Sequence, residues 1–299
     1  MDVGAAGFAH LKGGPWTRVI ILGPAHRGWY HGLSITPVDT YRTPLGAVPL
    51  DKVAIKTLSK SLDKVKLLAE APEAHIREHD IECQLPFLQV LLPKASIIPI
   101  LVGDIKVEEL DAAAAVIAPL LDSKTLLVVS TDFTHYGSNY GFTPFRENVP
   151  ETLKAWAMEA GGRVAALDFD GFLGHCQKTK DTICGRYALG LAVKALQILA
   201  KTKTIEGSIV EFTTSGAYTR DWTNSVSYLS ILFSDPPADP PAGAGEFHLS
   251  PAEQETLLKI ARKTLETYLA DGSKPEFKPP EYPLTPTLLY AGTFSNGLF

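Results

Sequence analysis

Cysteine is scarce in this chain. Cys83, Cys176 and Cys184 are the 3 present among 299 residues. An odd and small number excludes a disulfide framework and fits reduced thiols in the cytosol. Clustered positive charge is missing too: the 28 Lys and Arg are scattered, and 33 Asp and Glu leave a net charge of −5. That balance, with an isoelectric point near 5.9, argues against nucleic acid as a main partner. No apolar run approaches the ~20 residues needed to cross a bilayer, so no membrane association is expected. The start, Met1-Asp-Val-Gly-Ala-Ala, lacks the basic segment and apolar core of a secretory signal, and a cytoplasmic location is expected. Also absent are the spacings of a zinc ribbon, a P-loop, a Gly-rich dinucleotide turn and a Gly-x-Ser-x-Gly elbow. What is present is globular: 45% hydrophobic and 20% charged, enough for one large domain or two of ordinary size.

Strands and helices alternate along the chain. Arg18-Val-Ile-Ile-Leu22 and Thr125-Leu-Leu-Val-Val-Ser130 are short β-branched runs bounded by turn residues, the pattern of strands buried on both faces. Residues 96–102 and the late segments 209–217 and 225–233 are further strands. The spacing predicts helices over residues 3–13, 51–70 (Val53, Leu58, Leu62, Val65), 78–92 (Ile81, Leu85, Leu88, Leu92), 107–121 and 186–201. Pro86 is expected to kink or break the third of these. Residues 41–51 read as a turn between extended pieces. This rhythm predicts an α/β fold, a mostly parallel sheet flanked by helices on both faces.

Three segments are expected: an α/β domain over residues 1–234, a Pro/Gly-rich linker over 235–248, and a segment over 249–299. In the last, Ser250-Pro-Ala-Glu253 forms a capping box. The helix it opens has Leu257, Leu258, Ala261, Leu265, Tyr268 and Leu269 on one side. So short a segment rarely stands alone as a domain; it reads as the start of a second domain or as an appendage docking on the first.

Chemistry-bearing residues collect at the strand ends. The first strand runs into Gly23-Pro-Ala-His26, and the later one into Thr131-Asp-Phe-Thr-His135. In open α/β sheets ligands gather beyond the carboxyl ends of such strands. His26 suits a metal ligand or general base, and Asp132 can orient the ring of His135. His79 stands between Glu78 and Asp80 at a helix start, where the acids equally suit the helix dipole. Cys184 precedes a helix beside Arg186, two features that favour a thiolate. Cys83 and Cys176 read as inert helical core residues. Each histidine alone could be a loop cap or a satisfied core residue; jointly they predict one cleft at the carboxyl edge of the sheet, holding His26, His79, His135 and Cys184.

Six blocks carry a family resemblance: Ile20-Ile-Leu-Gly-Pro-Ala-His26, Tyr41-Arg-Thr-Pro-Leu-Gly-Ala-Val-Pro-Leu-Asp51, Ala74-His-Ile-Arg-Glu-His-Asp-Ile-Glu-Cys-Gln-Leu-Pro-Phe-Leu88, Ser130-Thr-Asp-Phe-Thr-His-Tyr-Gly137, Thr182-Ile-Cys-Gly-Arg186 and Ser225-Val-Ser-Tyr228. In this order they resemble the Memo family, called AmmeMemoRadiSam system protein B in prokaryotes, over roughly residues 3–233. The segment from Leu249 to Gly272 resembles the opening helix of protein A of the same system. The resemblance implies a fold related to class III extradiol dioxygenases, with a pocket for a redox metal such as iron or copper. It implies His26 and Cys184 as metal ligands, with His79, Asp132 and His135 lining the pocket as catalytic or substrate-contacting groups. It also implies a radical S-adenosylmethionine enzyme and protein A as partners. The family's third ligand lies in a Pro-His-Ala-Gly-Tyr block that would precede Met1, and the in-frame DNA upstream is expected to encode it. With two ligands instead of three, binding is expected to be weak and substoichiometric. Smaller departures are Ala25 and Asp80, where the family favours Ser, and Ala188, near a usual Pro. Two further functions stay open. One is a non-catalytic interaction module with a vestigial site. The other, an active extradiol-type dioxygenase, is disfavoured by Cys184 in place of a carboxylate or His ligand.

Overall fold

The computed structural model describes residues 2–234 and a few isolated helical positions beyond them, so the expected linker and most of the C-terminal segment lie outside the described residues. Helix α1 (Asp2–Ala9) precedes β1 (Arg18–Pro24) and β2 (Leu33–Ile35). The Pro/Gly-punctuated stretch is a hairpin of β3 (Thr40–Thr43) and β4 (Gly46–Pro49). Next, α2 (Lys52–Lys64) is capped by Asp51, whose carboxylate accepts the Ala54 N–H at 2.9 Å and pairs with Arg18 at the foot of β1 at 2.8 Å. The helix ends sooner than its pattern predicts, because Lys66 turns the chain with φ 60° into the short β5 (Leu68–Ala69). Ala54, Leu58 and Leu62 face the core, whereas Val53 and Val65 point outward.

Helix α3 (Ala74–Arg77) and helix α4 (Asp80–Leu91) follow. The break in this region falls at Glu78 and His79, not at Pro86, which α4 carries unbroken with Ile81, Leu85, Phe87 and Leu88 buried around it. The expected face of Ile81, Leu85, Leu88 and Leu92 is buried throughout. Then come β6 (Ser96–Val102), α5 (Leu110–Ile117) and β7 (Thr125–Val129). The central sheet has the order β5-β2-β6-β1-β7. All its pairings are parallel except β2 with β6. Pro99 sits inside β6 without breaking it because β2 reaches only to Ile100, so no partner is waiting for the missing N–H.

The remainder is β8 (His135–Gly137), α6 (Val149–Ala165), α7 (Phe169–Thr179), α8 (Arg186–Leu199), β9 (Glu206–Thr214), α9 (Ser215–Thr219) and β10 (Asn224–Ser234). The late strands do not join the parallel sheet. They form a separate antiparallel sheet of order β8-β10-β9, and α9 occupies the end of what the pattern marks as one strand. Helix α6 has no counterpart among the elements the sequence predicts, and α7 is anticipated only in the helical setting expected of Cys176. The period-2 alternation of β1 and β6 divides the main core. Ile20, Leu22, Ile98 and Ile100 pack with Leu58, Leu62, Ile117 and Leu191 on one face. Val19, Ile21, Ile97 and Leu101 pack with Phe8, Leu85 and Leu88 on the other. The sheet is therefore covered on both sides, and the carboxyl ends of β1 and β7 open together at one edge. No helix among the described residues is long and apolar enough to cross a membrane.

Candidate functional site

Strand β1 delivers His26 two residues past its end. The approach is close: a Cβ on Gly23 would lie 1.8 Å from the Asp80 carboxylate, so only glycine fits beneath the start of α4. The junction between α3 and α4 turns Glu78 inward, leaving its side chain 1% exposed. Its Oε1 accepts the backbone N–H of Arg27 at 2.7 Å and that of His26, and its Oε2 meets His26 Nδ1 at 2.9 Å. Burial alone would push this carboxyl up, but the His26 ring and the two N–H donors hold it below its ordinary value.

The same contacts act on His26. Hydrogen bonding to Cys184 first, then to Glu78, raises its pKa to about 10 against the opposing effect of burial. With Nδ1 taken by Glu78, Nε2 is the ring atom left free to ligate. His79 stacks on His26 with ring centroids 5.3 Å apart and planes 23° from parallel. One ligating atom each from His26, Glu78 and His79 can be chosen so that all lie within 4.8 Å of one another.

Cys184 arrives from the other side, just before α8. Its sulfur accepts the Asp132 N–H at 3.2 Å and lies 3.6 Å from the Thr131 hydroxyl. The guanidinium of Arg186, the neighbour expected to act on Cys184, stands 5.0 Å above the Tyr187 ring. His135, at the start of β8, is oriented chiefly by Thr182, whose carbonyl accepts from Nδ1 at 2.9 Å. The Asp132 carboxylate is 3.7 Å from the other ring nitrogen, an ion-pair distance rather than a hydrogen bond. Burial lowers the His135 pKa, but Asp132, Cys184 and the Thr182 carbonyl outweigh it, and the net shift is upward.

A chain of contacts thus brings His26, His79, Cys184, Asp132 and His135 together at the carboxyl edge of the sheet. Glu78 and Thr182 belong to it as well and were not singled out by sequence. Glu78 reads as a helix-dipole acid because nothing in its neighbours marks it as buried; the signal that could have found it is a carboxylate adjoining one candidate ligand. Cys176 is buried, its thiol pushed up to about 11 by burial and then Asp181. Cys83 is exposed on α4, not in the apolar setting expected of it, and desolvation with Glu82, Asp80 and Asp132 pushes its thiol up to about 11. Both raised values fit unreactive thiols.

The profile of the Memo-like protein family matches residues 1–232. A MEMO1 family protein of Thermococcus onnurineus is 34% identical over 224 residues, which covers 72% of this chain and 75% of the relative. One of Pyrococcus abyssi is 33% identical over 225 residues, 71% of this chain and 75% of the relative. A memo-1 homologue of Caenorhabditis elegans is 29% identical over 245 residues, 79% of this chain and 69% of the relative. With six sequence blocks in order, the α/β fold and matches of this extent, the chain belongs to the Memo-like family.

Proposed function

We propose that the cleft binds a redox-active transition metal, iron or copper, in a His/Cys pocket. We further propose that the protein works in the AmmeMemoRadiSam system beside a radical S-adenosylmethionine enzyme and protein A. The observation that carries the metal assignment is the placement of His26: its Nδ1 is held by buried Glu78, which leaves Nε2 as the ligating atom, and Cys184 is close enough to act on the ring. A carboxylate behind an imidazole is the usual outer partner of a metal-bound histidine. Imidazole with thiolate is a donor set that suits copper, iron and zinc. His26 Nε2 and Cys184 Sγ would hold the ion, while His79 groups with His26 and Glu78 on the other side of the imidazole. When bound, such an ion supplies one-electron redox chemistry and a Lewis acid.

The neighbouring residues do the rest. His135 donates Nδ1–H to Thr182, so Nε2 is the atom that takes up and releases a proton, and Asp132 beside it favours the charged ring. A substrate group entering the cleft would meet this proton donor opposite His26. The system assignment is supported by the sequence blocks and by the C-terminal resemblance to protein A. Metal analysis of the full chain, His26→Ala and Cys184→Ala tests the assignment. The expected result is metal in the parent and its loss in both variants; equal content in all three would overturn it. That outcome would favour a non-catalytic interaction module, for which the fully exposed Trp29, three residues from His26, is the supporting observation.

A further inference from the structure

One buried ionisable pair lies outside the cleft and takes no part in the chemistry above. His175, on the last turns of α7, has 1% of its side chain exposed, and Asp181 has none. Their Nε2 and Oδ2 atoms are 3.2 Å apart. The other ring nitrogen of His175 is 3.6 Å from Glu159 of α6, and Trp156 meets the ring edge-on at 5.9 Å. The Thr179 hydroxyl ties the same turn together, donating to the His175 carbonyl at 2.7 Å and accepting the Asp181 N–H at 3.2 Å.

Asp181 opens the segment that carries Cys184. Immediately after it, the Thr182 hydroxyl accepts the His135 N–H at 2.8 Å and donates to the His135 carbonyl at 2.9 Å, while the Thr182 carbonyl holds the His135 ring. Ile183 is buried, the Cys184 sulfur takes the Asp132 N–H, and the Gly185 N–H reaches the Thr131 hydroxyl at 2.8 Å. The segment is thus fastened at its far end by cleft residues and at its near end by the His175–Asp181 pair.

Stability does not account for burying such a pair. Desolvating two ionisable groups costs several kcal/mol, and apolar replacements of similar volume are often neutral or stabilising. What a buried hydrogen bond does supply is direction, since only one path of the chain after α7 brings Asp181 onto His175. We propose that His175 and Asp181 are positioning residues for Cys184, setting where residues 182–184 run and so placing the thiol against His26 and the Thr182 carbonyl against His135. From the proposed function this takes only that Cys184 is a site residue.

The test is the rate at which Cys184 is alkylated by iodoacetamide in the full chain with chelator present, followed by peptide mass mapping to separate it from Cys83 and Cys176. A chain that binds no metal still returns an answer, so the two proposals fail separately. Asp181→Asn keeps an acceptor for the His175 N–H and is expected to stay within about twofold of the parent rate. The double variant His175→Leu with Asp181→Leu is expected to keep its unfolding midpoint while its Cys184 rate falls about tenfold or more, the scale of lost outer-sphere orientation. A double variant that folds and alkylates at the parent rate would overturn the proposal. Should it fail to fold, His175→Phe decides instead, because it keeps a ring and loses the donor: a slowed rate supports the proposal and an unchanged one refutes it.

Discussion

A carboxyl group as deeply buried as that of Glu78 is normally driven toward its neutral form, yet three donors converge on it and hold it ionised. Its charge in turn fixes that, when the His26 ring gives up a proton to bind a metal, Nδ1 is the nitrogen that keeps its own. Glu78→Gln replaces one acceptor oxygen with an amide that cannot accept from Nδ1. Metal affinity should then fall about 10–100-fold, the range seen when such partners are removed. A chelator-competition titration measures it, and an unchanged affinity would remove Glu78 from the account. Proton linkage gives a second expectation. His26, with its pKa raised to about 10, is protonated throughout the neutral range, so a metal must displace that proton. Affinity should therefore rise about tenfold per pH unit between about pH 6 and about pH 9. A flat profile across that window would mean that His26 is not a ligand.

At the scale of elements, the hairpin of β3 and β4 is clamped to α3 and β2 through one imidazole. His75 meets the Tyr41 hydroxyl at 3.1 Å and the Ser34 carbonyl at 3.2 Å, and burial lowers its pKa to about 4. Asp80, at the start of α4, moves the other way: burial and then Glu78 raise its carboxyl to about 7, and one of its buried oxygens has no hydrogen-bond partner among the described residues. The two oppose each other in stability. Between about pH 4 and 6.5 the unfolded chain binds the His75 proton and the folded one does not, so this term makes stability rise with pH. Over about pH 3.8–7 the folded chain keeps the Asp80 proton and the unfolded one does not, so that term makes it fall. Asp80→Asn should remove the second and expose the first, giving stability that climbs by up to about 3 kcal/mol across the window. Urea unfolding at several pH values reads this directly; parallel profiles for the two proteins would contradict it. The elements themselves differ in how far sequence reveals them. β1, β6 and β7 carry continuous apolar runs and α2 and α8 strong apolar periods, and these are legible. By contrast, α6, with Pro150 and paired Gly161 and Gly162, has no clear period, and its buried small residues pack beneath β9 and β10, where a Cβ on Gly161 would lie 2.1 Å from Leu229.

For the whole molecule, parallel β1 and β7 end at the same edge, so two segments about 100 residues apart in sequence meet there. The strand ends with His26, Asp132 and His135 were legible because apolar strands announce themselves by composition, although only β1 is buried as expected and β7, at the edge of the sheet, is half-buried. Glu78 and Thr182 were not, because their roles come from burial and from a backbone carbonyl that no side-chain pattern encodes. Likewise, a strand pattern does not reveal which sheet a strand will join, as β9 and β10 illustrate. The central claim is that this edge holds one metal between His26 and Cys184. X-ray absorption of the metal-loaded full chain tests this: the expected first shell holds one sulfur together with imidazole nitrogen. A first shell of nitrogen and oxygen alone, identical in Cys184→Ala, would contradict it.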